Sequence, residues 1–546
     1  MIAPSTHESV GPIVIDYIVA GPRTAAAVAA GTAKLLGMTY QTASAEPCFV
    51  SENFVRVLNS FGGRRRVYTN SLLGFALEAC NDLPPPADFD DFHVMAQPIG
   101  GDDQCDHANA GAKQQDVELL KRASMERVRR VGAQYAVYLD RLTTMDLDAL
   151  YQQIELPVIA PTLTMTLSGI GVNKAVLEGI QESGSVQLEI AQRQLQELAG
   201  RDINLDSPQE LIDYLYDELG LPVIGYTRSG VPSTSVLALQ PLADQHPAIP
   251  VVLCYLEQKP VHDAAQALLE HVQPSGVVFA ELNPMGTVTG RFSCCRPNLQ
   301  GLPAPLLAAV EAAPGHVLLE ADMSQQELRV LAHFSQDPRL LKAYTNDVDI
   351  HRQTAAAVLG IPERQVTREQ RDRYGKPVNF AIPYGTTSDG LAWELGISPL
   401  DAQGLLDAYF MAYPGIRQWI DQVRDFVRPH GFVRTLYNRR RQIPDVQGSA
   451  IGSTAGTLRQ AVNTIIQGTA ADLFKLALIR LNQVLAPDVK ILLPVHDSVL
   501  FEVPEAMVEQ AKQDGVLSME TLPPEFSVPL KVEIRTGRTW AECKAE

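Results

Sequence analysis

Residues 316–335, HVLLEADMSQQELRVLAHFS, admit few local folds. A mostly apolar run at 317–321, interrupted by Glu320, reads as a strand that ends at Asp322. Ser324 and Glu327 then have the S-x-x-E spacing of a capping box. That spacing predicts a helix opening there, with Leu328, Leu331 and Phe334 on its buried side. Asp322 is thereby put on a strand-to-helix turn. A second string, KILLPVHDSVLFEVP at 490–504, has two β-rich runs around His496 and Asp497 and reads as a tight hairpin with both residues at its tip. Either aspartate alone could do no more than satisfy turn backbone. Together, carboxylates on adjacent strand ends can hold two divalent ions about 3.5–4 Å apart, and oxygen-only ligands favour Mg²⁺.

The string REQRDRYGKPVNFAIPYG at 368–385 is basic first and aromatic afterwards. On a helix, Lys376, Phe380 and Tyr384 would share one face. A cation beside an aromatic stripe suits phosphates and a base, although a core helix with a snorkelling lysine has the same pattern. Further on, Arg459, Asn463 and Gln467 repeat the spacing. Such donors can check minor-groove acceptors common to every base pair; the simpler reading is a solvated helix face.

Charge is segregated. The chain has 45 Lys plus Arg against 63 Asp plus Glu, a net −18, which argues against indiscriminate coating of nucleic acid. Yet 361–385 holds five basic and three acidic residues, 286–300 two basic and none acidic, and 434–441 four arginines and no acid. Basic patches in an acidic body are what a confined nucleic-acid channel requires. The 546 residues allow three or four domains at about 150 residues each. No run of about 18 apolar residues and no signal-peptide layout occurs, so a soluble intracellular protein without membrane contact is expected. The 7 cysteines are odd in number and lack CxxC pairs, which predicts reduced thiols rather than disulfides or zinc. Residues 1–95 read as a small α/β unit broken by Pro84, Pro85 and Pro86, and 98–113 as an exposed loop. Helices should dominate 116–198, and Ser207, Pro208 and Glu210 should open another that runs to Gly220.

From about residue 150 onward the chain resembles the family A DNA polymerases of the bacterial DNA polymerase I type. ADMSQQELRVLAHFSQD is similar to that family's first palm motif, KPVNFAIPYG to its fingers-helix motif and PVHDSVLFEV to its final palm motif. TVTGRFSCCRPNLQGLP, DIHRQTAAAVLGI, YPGI, NRRRQIPD, QGTAAD and GRTWAECK match in order between and around them. The resemblance implies that Asp322 and Asp497 ligate two Mg²⁺ ions, with Mn²⁺ able to substitute and the Met323 carbonyl assisting. It implies that Lys376, His351 and either Arg371 or Arg373 hold the incoming triphosphate beside Gln325. Glu327 would close off the sugar's 2′ position, Phe380 would pack on the sugar and Tyr384 would stack at the templating position. Arg291, Asn298, Gln300, Arg459, Asn463, Gln467 and His496 would line primer-template DNA.

Several positions depart from the family pattern. Asp372 stands where an arginine is usual, between Arg371 and Arg373. Pro377 and Pro383 fall inside the fingers helix, which predicts a late start or a bend. Gln326 replaces an apolar residue, which is expected to loosen the nucleotide pocket, and Ser498 replaces the Glu that follows the catalytic aspartate. The N-terminal unit resembles the family's proofreading domain in position and length. However, its first strand reads Asp16-Tyr17-Ile18 rather than D-x-E, Gly74 stands where an acid is expected, and no Y-x-x-x-D occurs before residue 150. Metal-dependent hydrolysis without its acidic ligands has no mechanism.

The fold expected is a multidomain α/β and α+β chain: a right-hand polymerase with an antiparallel palm sheet, helical fingers and thumb, preceded by an RNase H-like exonuclease-type α/β domain. Its divisions are 1–152 (degenerate 3′-5′ exonuclease-like), 153–310 (thumb and start of palm), 311–345 (palm), 346–445 (fingers) and 446–546 (palm). No 5′-nuclease domain is expected in a chain of this length. The expected function is template-directed addition of dNTPs to a primer by a monomer without proofreading. A single-subunit RNA polymerase and a catalytically silent DNA-binding scaffold are the alternatives.

Overall fold

β-Branched and aromatic runs near the N-terminus pair into a five-stranded mixed sheet in the computed structural model. The structure describes residues 13–20, 24–42, 47–50, 66–70, 117–227, 229–381, 385–443 and 453–545, with positions 58, 72, 73, 75, 76, 89–91, 94 and 95. Pro84, Pro85 and Pro86, the segment 98–113, Pro383 and Tyr384 lie outside the described residues. The strands are β1 (Ile13–Ala20), β2 (Lys34–Thr42), β3 (Cys48–Val50), β4 (Arg66–Tyr68) and β5 (Phe89–Asp91), ordered β3-β2-β1-β4-β5. β1 runs antiparallel to β2 and parallel to β4, and residues 13–17 are buried. The long helix α1 (Val117–Thr144) sends Val128, Val131, Tyr138 and Leu142 into the same core.

The chain divides into two compact units: residues 1–168, 281–294 and 320–534, and residues 169–280, 295–319 and 535–546. The sequence-based boundary after 152 and this division differ for a physical reason. Helix Ile159–Ser168 contributes Ile159 to the core of the N-terminal sheet and so stays with the first unit.

In the second unit, helix Lys174–Ala199 is opened by Asn173, whose side chain accepts from the Val176 N–H at 3.2 Å, and is closed by Gly200 at φ 69°. It packs along helix Ala248–Leu269, with Leu195, Ile203, Leu215, Leu239, Ile249 and Val252 in the core. Ser207 caps helix Pro208–Ile212 as the spacing predicts. Glu210 accepts instead from the Asn204 N–H at 2.9 Å, and the helix widens into a π turn, Asp213–Glu218, before Gly220.

The elements that carry both aspartates and the side chains around them fall mostly in the first unit, with two strands running across its limits at 320 and 534. They are β6 (His316–Met323), α2 (Gln326–Ser335), α3 (Ile350–Leu359), α4 (Lys376–Ala381), α5 (Pro414–His430), β7 (Phe432–Arg434), β8 (Arg440–Gln442), the 32-residue α6 (Ser453–Val484), β9 (Lys490–Val495), β10 (Ser498–Pro504) and β11 (Val532–Gly537). The sheet order is β9-β10-β6-β11. α2 lies against α5, where Phe334 stacks on Trp419 with ring centroids 5.7 Å apart. Among the described residues no helix is long and apolar enough to cross a membrane.

Candidate active site

β9 and β10 pair with Val495 opposite Ser498, leaving His496 and Asp497 as a two-residue tip, as the sequence predicts. His496 takes φ 58°, a left-handed value that histidine adopts more readily than most residues. β6 is the neighbour of β10, and the Met323 N–H donates to the Asp497 carbonyl at 3.0 Å. Asp322 and Asp497 therefore stand on adjoining strand ends, 175 positions apart in sequence.

The turn after Asp322 is not the capping box that its spacing suggests. α2 begins at Gln326 behind Gln325, which has φ 55° and makes no side-chain cap. Glu327 instead accepts from Arg291 in an ion pair. A guanidinium offers the carboxylate a stronger partner than a backbone N–H. Tertiary bonds then hold the turn: the Ser324 N–H donates to Lys531 O at 2.8 Å, and Arg329 donates to Ser324 O and Pro529 O at 2.8 and 2.6 Å. Gln326 also departs from expectation. Its side-chain amide is buried and donates to Ala470 O and Met323 Sδ, both at 3.0 Å, so it ties α2 to α6 instead of loosening the pocket.

A cleft of about 300 Å³ opens here, walled by Arg291, Gln325, Glu327, Phe380, His496 and Asp497. The Tyr344 hydroxyl donates to Gln325 Oε1 at 3.1 Å and fixes that wall. Phe380 is 49% exposed, a large apolar ring left facing solvent at the cleft.

Residues 368–381 form a continuous helical run, and Pro377 does not break it. The run opens with a Thr367–Gln370 capping box, widens into a π turn at Arg371–Gly375 and resumes as α4. The wide turn carries the Lys376 N–H to Arg371 O, just ahead of the proline that can donate nothing. Gly375 is required where α3 crosses, since a Cβ there would lie 2.0 Å from His351 O. Arg371 is engaged by Asp349 at 2.6 Å and Asp372 at 2.7 Å, and Asp372 also pairs with Lys376 at 3.1 Å. Arg373 is exposed and lies 5.5 Å from the Tyr374 ring. His351 is buried, 3.1 Å from Asn379 Nδ2 and with its ring 5.7 Å from that of Phe380. Burial, with help from Arg371, pushes His351 down to about 4, so at neutral pH it is an uncharged imidazole.

Arg459, Asn463 and Gln467 do share a face of α6. Arg459 is exposed, and its stem packs against Gly385, where a Cβ would come within 2.4 Å of Arg459 Cγ. Asn463 Oδ1 is buried without a hydrogen-bond partner among the described residues, an acceptor still to be satisfied. Asn298 and Gln300 belong to the second unit, at and within the short turn Leu299–Gly301.

The basic patch at 434–441 is less basic than its composition suggests. Arg439 is 7% exposed and donates to Asp472 and Glu155, and Lys475 donates to both oxygens of Glu155 at 2.8 and 2.9 Å. Sequence reasoning missed this buried quartet because its members are separated by up to 320 positions. The QGTAAD string supplies Asp472 and stands next to Lys475, but nothing local signals their burial.

A strand-end carboxylate beside a hairpin-tip carboxylate, with a ring of a neighbouring helix lining the same cleft as the second, is an arrangement that fits palm-and-fingers nucleic-acid polymerases. A family model described as DNA polymerase family A matches residues 174–542. DNA polymerase I of Caldicellulosiruptor bescii is 38% identical over 408 residues, covering 72% of this chain and 47% of that protein. DNA polymerase I of Deinococcus radiodurans is 37% identical over 405 residues, covering 72% and 42%. The chain belongs to DNA polymerase family A. It spans about half the length of these curated relatives. In the solved structures, the POL domain of Pol1 from M. smegmatis, in complex with DNA primer-template and dNTP, superposes with a TM-score of 0.86 at 26% identity, covering 98% of this chain and 96% of that one.

Proposed function

We propose that this chain is a template-directed DNA polymerase that joins dNTPs to a primer 3′-hydroxyl by two-metal nucleotidyl transfer. The observation that carries this reading is the Met323-to-Asp497 backbone bond, which joins two carboxylate-bearing strand ends, with Asp497 lining the cleft. The donor set fits hard divalent cations. Asp322, Asp497 and the Met323 carbonyl offer only oxygen, and among the described residues no group of three or more His, Cys, Asp or Glu forms a competing site. Mg²⁺ held there would supply Lewis-acid activation of the hydroxyl and neutralisation of phosphate charge.

The chain's own side chains position the reactants. Lys376 and the exposed Arg373 meet the triphosphate as cations; Arg371, committed to Asp349 and Asp372, braces α3 against the π turn. His351, uncharged, serves as an N–H donor. Phe380 offers its exposed ring to the sugar, and Glu327, held by Arg291, guards the 2′ side beside Gln325. Tyr384 would stack on the templating base. Arg459, Asn463, Gln467 and His496 face the primer-template, with Asn298 and Gln300 as further contacts. Primer extension with dNTPs, with rNTPs and on a mismatched primer tests the proposal: extension with dNTPs is expected, and equal use of rNTPs would favour an RNA polymerase instead.

Two variants sharpen it. Asp372 competes with phosphate for Lys376 in an exposed ion pair, and such pairs contribute up to about 1 kcal/mol. Asp372→Asn should therefore lower the dNTP KM by up to about fivefold with kcat little changed, read by steady-state single-nucleotide incorporation. Glu327→Ala opens the 2′ side and should raise rNTP use relative to dNTP on the order of 100-fold, measured as the ratio of kcat/KM values.

Proofreading is not part of the proposed activity. The Asp16 carboxylate accepts from Ser124 Oγ at 2.5 Å, from Thr69, and from Arg127 Nε and Nη2 at 3.1 and 2.9 Å. A resident guanidinium thus sits where hydrolysis would need a divalent cation. Asp90 likewise accepts from the hydroxyls of Tyr135 and Tyr151. The mismatched primer should accordingly remain unshortened.

A further inference from the structure

We infer that Glu320 is a positioning residue of the two-carboxylate site, raising its affinity for divalent cations through Ser498 and the 495–498 turn; the inference rests on the polymerase reading above. Glu320 is 4% exposed in β6, and the two-residue period of a strand puts it on the same face as Asp322. Ser498 directly follows Asp497 and is 2% exposed. Its hydroxyl lies 3.1 Å from Glu320 Oε1 and 3.1 Å from Val495 O, so one proton is shared between them. Val495 and Ser498 are the pair that closes the hairpin. Glu320 therefore braces, from the neighbouring strand, the turn that presents Asp497.

An apolar side chain would fill this core position without desolvating a carboxylate. An acid occupies it, bonded to the very serine that stands where the family pattern has Glu. This carboxylate stands on β6, within hydrogen-bond reach of Ser498 at the start of β10. There it adds negative charge behind Asp322 and couples both metal-facing strands. Groups that orient ligands from behind commonly change metal affinity 10–100-fold when removed.

Mn²⁺ binding to the protein with a chain-terminated primer-template and dNTP, followed by electron paramagnetic resonance, reads affinity without turnover. Glu320→Gln should bind Mn²⁺ about tenfold more weakly, with its urea unfolding midpoint close to that of the parent. A purely structural role would move the midpoint and leave the affinity alone. Placing an acid on the other strand instead, in E320Q/S498E, should recover binding. Should Glu320→Gln fail to fold, Ser498→Ala removes only the hydroxyl link and should also weaken binding. Unchanged affinity in a folded single variant, or no recovery in the double variant, overturns the inference. Asp322→Ala separates this from failure of the underlying reading: if it binds Mn²⁺ as the parent does, the two-carboxylate site itself is wrong.

Discussion

Asp322→Ala or Asp497→Ala should reduce primer extension by roughly 10³-fold or more while leaving the fold intact. Charge stabilisation by a metal-holding carboxylate pair is worth several kcal/mol of transition-state energy, and each 1.36 kcal/mol is tenfold in rate. The structure separates this chemical loss from a structural one. The contact that joins the two strand ends runs from the Met323 N–H to the Asp497 carbonyl, both main-chain atoms that alanine retains. Asp497 lies at a hairpin tip whose register is held by Val495 opposite Ser498, and neither aspartate is fully buried. Single-turnover extension with saturating dNTP, beside thermal unfolding of the same preparations, is the measurement. Near-parental extension by either variant would remove that residue from the site.

The largest effect on stability is expected at Lys475. Glu155, Asp472 and Lys475 have fully buried side chains, and Arg439 is 9% exposed at its side chain. Burial alone would raise Glu155, but Arg439 and Lys475 outweigh it and hold the carboxyl below its ordinary range. Burial pushes Lys475 down to about 8, still charged at neutral pH. Removing one charge from such a set strands its partner in a low-dielectric interior, a loss of about 3–5 kcal/mol. Lys475→Met should therefore lower the unfolding free energy of the unit, read from urea denaturation, by that amount, and adding Glu155→Gln should return part of it, because the orphaned anion is gone. A double variant whose loss equals the sum of the Lys475→Met and Glu155→Gln losses would show that the two are not energetically coupled. The quartet joins the π turn at 151–155, the β7–β8 hairpin and α6 within the first unit, so its loss should also loosen the base of the helix bearing Arg459, Asn463 and Gln467.

How far the sequence could be read depended on how local each determinant was. The strand ending at Asp322, the two-residue tip at His496 and Asp497, and the shared face of Arg459, Asn463 and Gln467 are short-range consequences of residue period and turn chemistry, and they form as expected. The S-x-x-E spacing at Ser324 misled because Arg291, 36 positions away, captures Glu327. Pro377 suggested a late start or a bend because a π turn cannot be inferred from one residue's propensity. That Arg371 is engaged while Arg373 stays exposed depends on Asp349, 22 positions upstream of Arg371, which local sequence does not reveal.

By itself, then, the sequence determined which segments become strands, turns and helices, and which of them carry carboxylates, cations and rings, because hydrophobic period and backbone preference act over a few residues. The tertiary structure alone decided which charges are free to act. Arg439 became a buried counterion for Glu155 and Asp472, Glu320 a brace for Ser498, and Gln326 a tie to α6. Ion pairing and hydrogen bonding in a desolvated interior select partners by proximity in space, and proximity across tens to hundreds of positions is created only when the chain folds.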